Sequence, residues 1–277
     1  MQQHLLFPWR FLLFFTPLIT SSAFFTSSSQ AATLAFSDSN LEFTNFSQSP
    51  VRVQTSADTN AITIAKSGMV DAIANATANF LVAPPTASNS SLSIAFGEGQ
   101  DYLGQAESQA IVIGDFLVDP DKTFSFDFTT DLSLQTALDN PTEEKARATG
   151  NTFFVLLDTN NKDKESIIDF FDLMGNIMTP SNGNFIAEQQ SENITLSDKS
   201  IKSNFGGNQE SATAQVSGSL KRYFTNQTNL SLVEIKRNRA IVVTPEPSSN
   251  IALLFWFSVV SVVLAGKRKV TASIRCK

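Results

Sequence analysis

Three groups of acidic side chains carry most of the chemistry this sequence could perform. Glu98 and Asp101 lie beside Tyr102 in the glycine-rich piece running from Gly97 to Gly104. Two carboxyls about 5 to 10 Å apart hydrolyse a glycosidic bond without any histidine, which makes this pair the one catalytic candidate. Acid pairs are common in loops, and no surrounding motif supports catalysis, so a protein that is not an enzyme is expected. Asp115, Asp119, Asp121, Asp127 and Asp131 form a second group. Within it, Asp119-Pro120-Asp121-Lys122 is turn chemistry in its own right, with proline fixing one dihedral and the aspartates bonding local amides. The third run places oxygen side chains at Asp158, Asn160 and Asp163. The helix-loop-helix calcium motif needs an oxygen ligand at its fifth position and glycine at its sixth, where this chain has Lys162 and Asp163. A hairpin loop is therefore expected there. No cofactor and no resident metal site are expected; calcium held at the periphery by turn oxygens is the one ion such acids would suit.

What is missing narrows the chemistry further. His4 is the only histidine, Cys276 the only cysteine, and the two tryptophans are Trp9 and Trp256. All four fall in terminal segments, so residues 33–247 hold no histidine–nucleophile pair and no ligand set for zinc, haem or an iron–sulfur cluster. They also hold no disulfide and no tryptophan platform for a sugar ring. The phenylalanine pairs and runs at 124–128, 153–154 and 170–171 must then supply the large apolar area, and they read as core.

The elements that would position these groups are strands. Val70, Ala72, Ala74, Ala76, Ala78 and Phe80 alternate with Asp71, Ile73, Asn75, Thr77 and Asn79, and Phe124, Phe126 and Phe128 alternate with Ser125, Asp127 and Thr129. Period two puts each set on one face of a half-buried strand. Further strands are expected at 51–55, 61–65, 91–96, 110–118, 152–158, 166–173, 193–196, 212–224, 230–236 and 240–243. Breaks are expected at 83–89, 97–104, 119–122, 139–149, 159–164, 179–184 and 204–209. The only helical signals lie at 133–138 and, behind Pro141, at 142–148, each worth a turn or two. Short strands at this spacing predict an all-β fold: a single antiparallel β-sandwich, jelly-roll-like, over residues 33–243.

The two ends say where the chain goes. Pro245, Glu246 and Pro247 precede an uncharged apolar run at 251–265, whose only polar side chains are Ser258 and Ser261, and the triplet Lys267, Arg268, Lys269 follows. A helix apolar on every face belongs in lipid. At about 1.5 Å per residue this one covers about 22 Å, a short span. The basic residues on its C-terminal side put that end in the cytoplasm and the residues before 245 outside.

In this order of tripeptide, span and basic cluster, residues 244–277 resemble the PEP-CTERM sorting signal of Gram-negative bacteria. The resemblance implies recognition and processing by an exosortase, in cells that make extracellular polysaccharide. At the other end, Arg10, the apolar stretch 11–19 and the small-x-small pattern Ser29-Gln30-Ala31 read as a signal peptide over 1–32, cleaved by signal peptidase at Ala31 or Ala32.

Six of the 20 Lys and Arg lie outside residues 33–247, leaving 14 against 26 Asp and Glu, a net charge of −12 on the exported part. That sign argues against nucleic acid as a partner. The expected protein is exported, anchored transiently in the inner membrane through 251–265, then held at the envelope or outer surface or secreted. Its expected role is structural or interactive in the extracellular matrix. A polysaccharide- or calcium-binding module is the second reading, and a carboxylate-based glycosidase the third.

Overall fold

A computed structural model of the chain describes residues 32–160, 166–180 and 183–244. Ala31, Asp163, Pro245, Glu246, Pro247, the span 251–265 and the triplet Lys267, Arg268, Lys269 lie outside the described residues, as does the export segment before Ala32. The described chain is all-β. Its ten strands are β1 Thr33–Thr44, β2 Arg52–Val82, β3 Pro85–Val118, β4 Lys122–Ala137, β5 Lys145–Asp158, β6 Ser166–Thr179, β7 Phe185–Gln190, β8 Ile194–Asn204, β9 Gln209–Phe224 and β10 Thr228–Val243. Every pairing is antiparallel, in the order β7-β6-β5-β10-β3-β1-β4-β9-β8, with β2 on β3.

The expected sandwich of two sheets is instead one continuous sheet, nearly closed into a barrel, and β3 is the reason. At about 3.3 Å per residue its 34 residues would run far past neighbours of 12 and 16 residues if straight. It bends and serves both. Ala95 pairs with Ala72 of β2 and Ala35 of β1, whereas Ala106 pairs with Ala61 of β2 and Ala240 of β10. With β2 along one whole edge of β3, β1 and β10 share the other edge in succession. The bend falls where Gly68, Gly99 and Asp101 take left-handed φ values of 128°, 91° and 54°, dihedrals that glycine and aspartate supply at least cost. A break was expected at 97–104 on those same residues; the ladder instead continues through the corner, with Gly68 opposite Gly99. Gly97 allows the corner to be tight, because a Cβ there would sit 2.1 Å from the Tyr102 ring.

Beyond this corner the sheet folds over itself. Ser37 Oγ of β1 donates to the Thr149 carbonyl of β5 at 2.8 Å, and the Thr136 and Thr179 hydroxyls of β4 and β6 meet at 2.5 Å. On the far side the ends of the order approach each other through an ion pair between Lys199 of β8 and Glu188 of β7.

Between the facing walls lies a phenylalanine core. Phe43, Phe116, Phe124, Phe126, Phe128, Phe154 and Phe171 are buried together, as the alternation on β4 predicts. The helical signals are overturned: 133–137 belongs to β4 and 145–148 to β5, leaving one turn in which the Glu144 amide donates to the Asn140 carbonyl at 2.9 Å. Leu132, Leu134 and Thr136 keep facing inward at period two, and burying them outweighs local helix propensity. Among the described residues no helix is long and apolar enough to cross a membrane.

Candidate functional site

The wall made of β10, β5 and β6 turns Ala146, Ala148, Thr152, Phe154 and Leu156 inward. Alternation therefore sends Arg147, Thr149 and Asn151 of β5 outward, and on β10 it sends Arg237 and Arg239 outward beside them. Register places Arg237 opposite Asn151, and Asn151 opposite Met174; Thr149 lies opposite Asn176, and Asn176 opposite Phe185. These side chains line a shallow groove of about 420 Å³ with Arg147 and Arg237 in it.

Both arginines are steadied by neutral amides. Arg147 Nε donates to Asn176 Oδ1 at 2.9 Å, and Arg237 Nε donates to Gln109 Oε1 at 3.1 Å. Among the described residues neither forms an ion pair with a carboxylate, whereas Arg239 pairs with Glu107 at 2.8 Å. Burial pulls the Arg239 guanidinium below its ordinary range, with the Arg147 charge adding to the effect and Glu107 opposing it. A guanidinium bonded through Nε still has its Nη donors, in the fork geometry that matches a carboxylate. The opposite wall carries acids outward. Asp38 and Asp131 sit on adjacent strands there, and burial together with the Asp131 charge pushes the Asp38 carboxyl up to about 6.

Inside the barrel, a polar belt separates the phenylalanine core from a smaller cluster around Ala95, Tyr102, Ala240 and Val242. Glu234, Lys236 and Asn238 of β10 point into it, at 0%, 0% and 2% exposure. Asn89 Nδ2 donates to Glu234 Oε2, Lys236 Nζ donates to the Asn89 carbonyl at 3.2 Å, and Ser39 Oγ donates to Asn238 Oδ1 at 3.0 Å. Burial raises the Glu234 carboxyl and lowers the Lys236 ammonium, and the opposite charge of each works against its partner's shift. Sealed from solvent, this pair has no route to a polymeric substrate.

The acidic candidates do not converge. Asp115 meets Arg52 and Ser231, Asp121 accepts from Tyr223, Asp127 from Asn45 and Asp131 from Asn40. No group of three or more potential ligands that could hold a metal gathers among the described residues. Asp158 ends β5 and pairs with Ser166 across a hairpin, its carboxylate capping the Asn160 amide at 2.9 Å. Glu98 and Asp101 sit at the β3 corner, and the carboxylate that accepts from the Tyr102 hydroxyl is Glu144, at 3.3 Å. Arg147, Arg237, Glu144 and the Glu234–Lys236 pair are additions to the residues singled out from sequence.

The fold and these sites define an all-β protein built on one antiparallel sheet, with an arginine-lined outer groove and a sealed polar interior. No protein-family model matches the chain, and neither a curated protein nor a solved structure matches it.

Proposed function

We propose that this chain is an exported surface or matrix protein, not an enzyme, whose arginine-lined groove binds a carboxylated extracellular polysaccharide. The observation that supports the reading is the pair Arg147 and Arg237 in one open groove, held by amides rather than by carboxylates. Two guanidinium forks spaced along a sheet face suit successive uronate carboxylates, and the neighbouring Asn151 and Asn176 suit sugar hydroxyls. The net charge of −12 does not forbid such a ligand. The acids of the far wall lie more than a Debye length of about 8 Å away at physiological salt, since packed walls alone are about 10 Å apart.

Binding of the chain to a polyuronate and to a neutral glucan, followed by calorimetry, tests this. The polyuronate is expected to bind and the neutral glucan not. Arg147→Ala with Arg237→Ala is expected to weaken binding at least tenfold, about 1.4 kcal/mol. Equal binding of both glycans, or no effect of the two substitutions, overturns the reading.

Delivery rests on the ends of the chain. The 1–32 segment is read as a signal peptide, and Pro245, Glu246 and Pro247 with the span and Lys267, Arg268, Lys269 as an exosortase-processed sorting signal. Mass spectrometry of the exported protein is then expected to find no peptide beyond Pro247. Recovery of Lys267 onward in the mature protein overturns the processing step.

A further inference from the structure

We propose that β2 is a self-association edge, on which a second copy of this chain pairs antiparallel across residues 57–67 about a two-fold axis at Ile62. From residue 54 to residue 69 every side chain of β2 is exposed, on both faces of the strand. Among the described residues the only strand beside β2 is β3, so the other edge of β2 presents a row of backbone donors and acceptors. Sheet edges of this length are ordinarily guarded by proline, clustered charge or a covering element. Residues 54–65 contain no proline, and Asp58 is their only charged residue. The chemistry of an open strand edge selects another strand as its occupant.

The side chains select which strand. In an antiparallel pair about Ile62, residue numbers on opposed strands sum to 124, which sets Asp58 against Lys66 of the second copy and Lys66 against its Asp58. Shifting the register by two residues in either direction sets Asp58 opposite Ile64 or Gly68 and loses both pairs. Ile62 then meets Ile62, and Ala61 meets Thr63, cross-strand pairs that a pleated sheet accommodates. The matched stretch ends at Gly68, where φ of 128° turns the strand away. Such an interface is isologous and closes at two copies, which keeps an open edge from building a filament. The inference is independent of what the groove binds.

Disulfide trapping in the full chain tests it, with Cys276→Ser removing the only native cysteine. Ile62→Cys is expected to form a disulfide-linked dimer on mild oxidation, because each new thiol faces its own copy. Asp58→Cys alone is expected not to, and Asp58→Cys with Lys66→Cys is expected to regain the dimer. Asp58→Lys is expected to raise the dimer dissociation constant at least tenfold by setting like charges opposite each other, and adding Lys66→Asp to restore it. A monomer at every position, or trapping as efficient at Asp58→Cys as at Ile62→Cys, overturns the proposal; the second result assigns association to another part of the chain.

Discussion

Replacing Lys236 with methionine is expected to cost about 3 to 5 kcal/mol at pH 9, the usual penalty for breaking a buried ion pair by removing one partner. At pH 5 the loss is expected to fall to about 1 kcal/mol, the worth of the hydrogen bond to the Asn89 carbonyl. The difference follows from the shifts. The Glu234 carboxyl is pushed up to about 8, so between its unfolded value of about 4.5 and 8 the native state holds a proton that the unfolded chain has released. Its contribution to stability is therefore full below about pH 4.5 and is lost as pH rises to 8. The Lys236 ammonium is pulled down to about 8, so the unfolded chain binds the extra proton between 8 and 10.5 and stability recovers across that window. Wild type is thus expected to be least stable near pH 8.

Without Lys236, the lowering influence on Glu234 disappears and the decline continues past pH 8 with no recovery. Asp38 and Asp131, whose charges also favour the Lys236 ammonium, do not replace it. Urea unfolding at pH 5 and pH 9 measures this. Equal losses at both values would assign the effect to packing. The double substitution Glu234→Leu with Lys236→Met is expected to leave the protein as stable as wild type or up to about 4 kcal/mol more stable.

That pair was legible in the alternation of β10, though not as a pair. Leu230, Leu232, Glu234, Lys236, Asn238, Ala240 and Val242 fall on one face at period two, so placing Leu230 and Val242 in the core places Glu234 and Lys236 there too. Charged residues on a strand are ordinarily solvated, and only register shows that Ser39, Asn89 and Ser91 lie close enough to line a polar belt. The arginine groove was less legible still. Arg147 and Arg237 come from strands 90 positions apart in the chain, joined by a ladder that no local signal encodes. The strands at 70–80, 124–134 and 152–158 could be read because burial on one face enforces alternation. The corner at 97–104 was read as a break because glycine signals a change of direction, and a bend that keeps its hydrogen-bond ladder has the same composition as a loop.

Phe154→Ala is expected to be the most damaging single truncation in the apolar core, at about 3 to 5 kcal/mol. The ring is fully buried on β5 and meets rings of both walls: Phe43 at 5.2 Å, Phe126 at 5.8 Å and Phe128 at 5.1 Å from β1 and β4, and Phe171 at 5.4 Å from β6. Three of these contacts are edge-to-face, and a favourable aromatic pair adds about 0.5 to 1.5 kcal/mol beyond burial. Truncation therefore opens a cavity where the two walls are held together, and strands that reach their partners through a single bent sheet have little freedom to collapse into it. Phe154→Leu keeps most of the volume and is expected to cost about 1.5 kcal/mol. Phe185→Ala, at a ring 42% exposed on β7, is expected to stay within about 0.5 kcal/mol of wild type. Urea midpoints followed by far-ultraviolet circular dichroism measure all three, because both tryptophans lie outside the barrel residues and report nothing on it. A loss at Phe154→Ala no larger than that at Phe185→Ala would mean that the walls are held by backbone pairing through β3 alone, and that the phenylalanine core fills the barrel without binding its halves together.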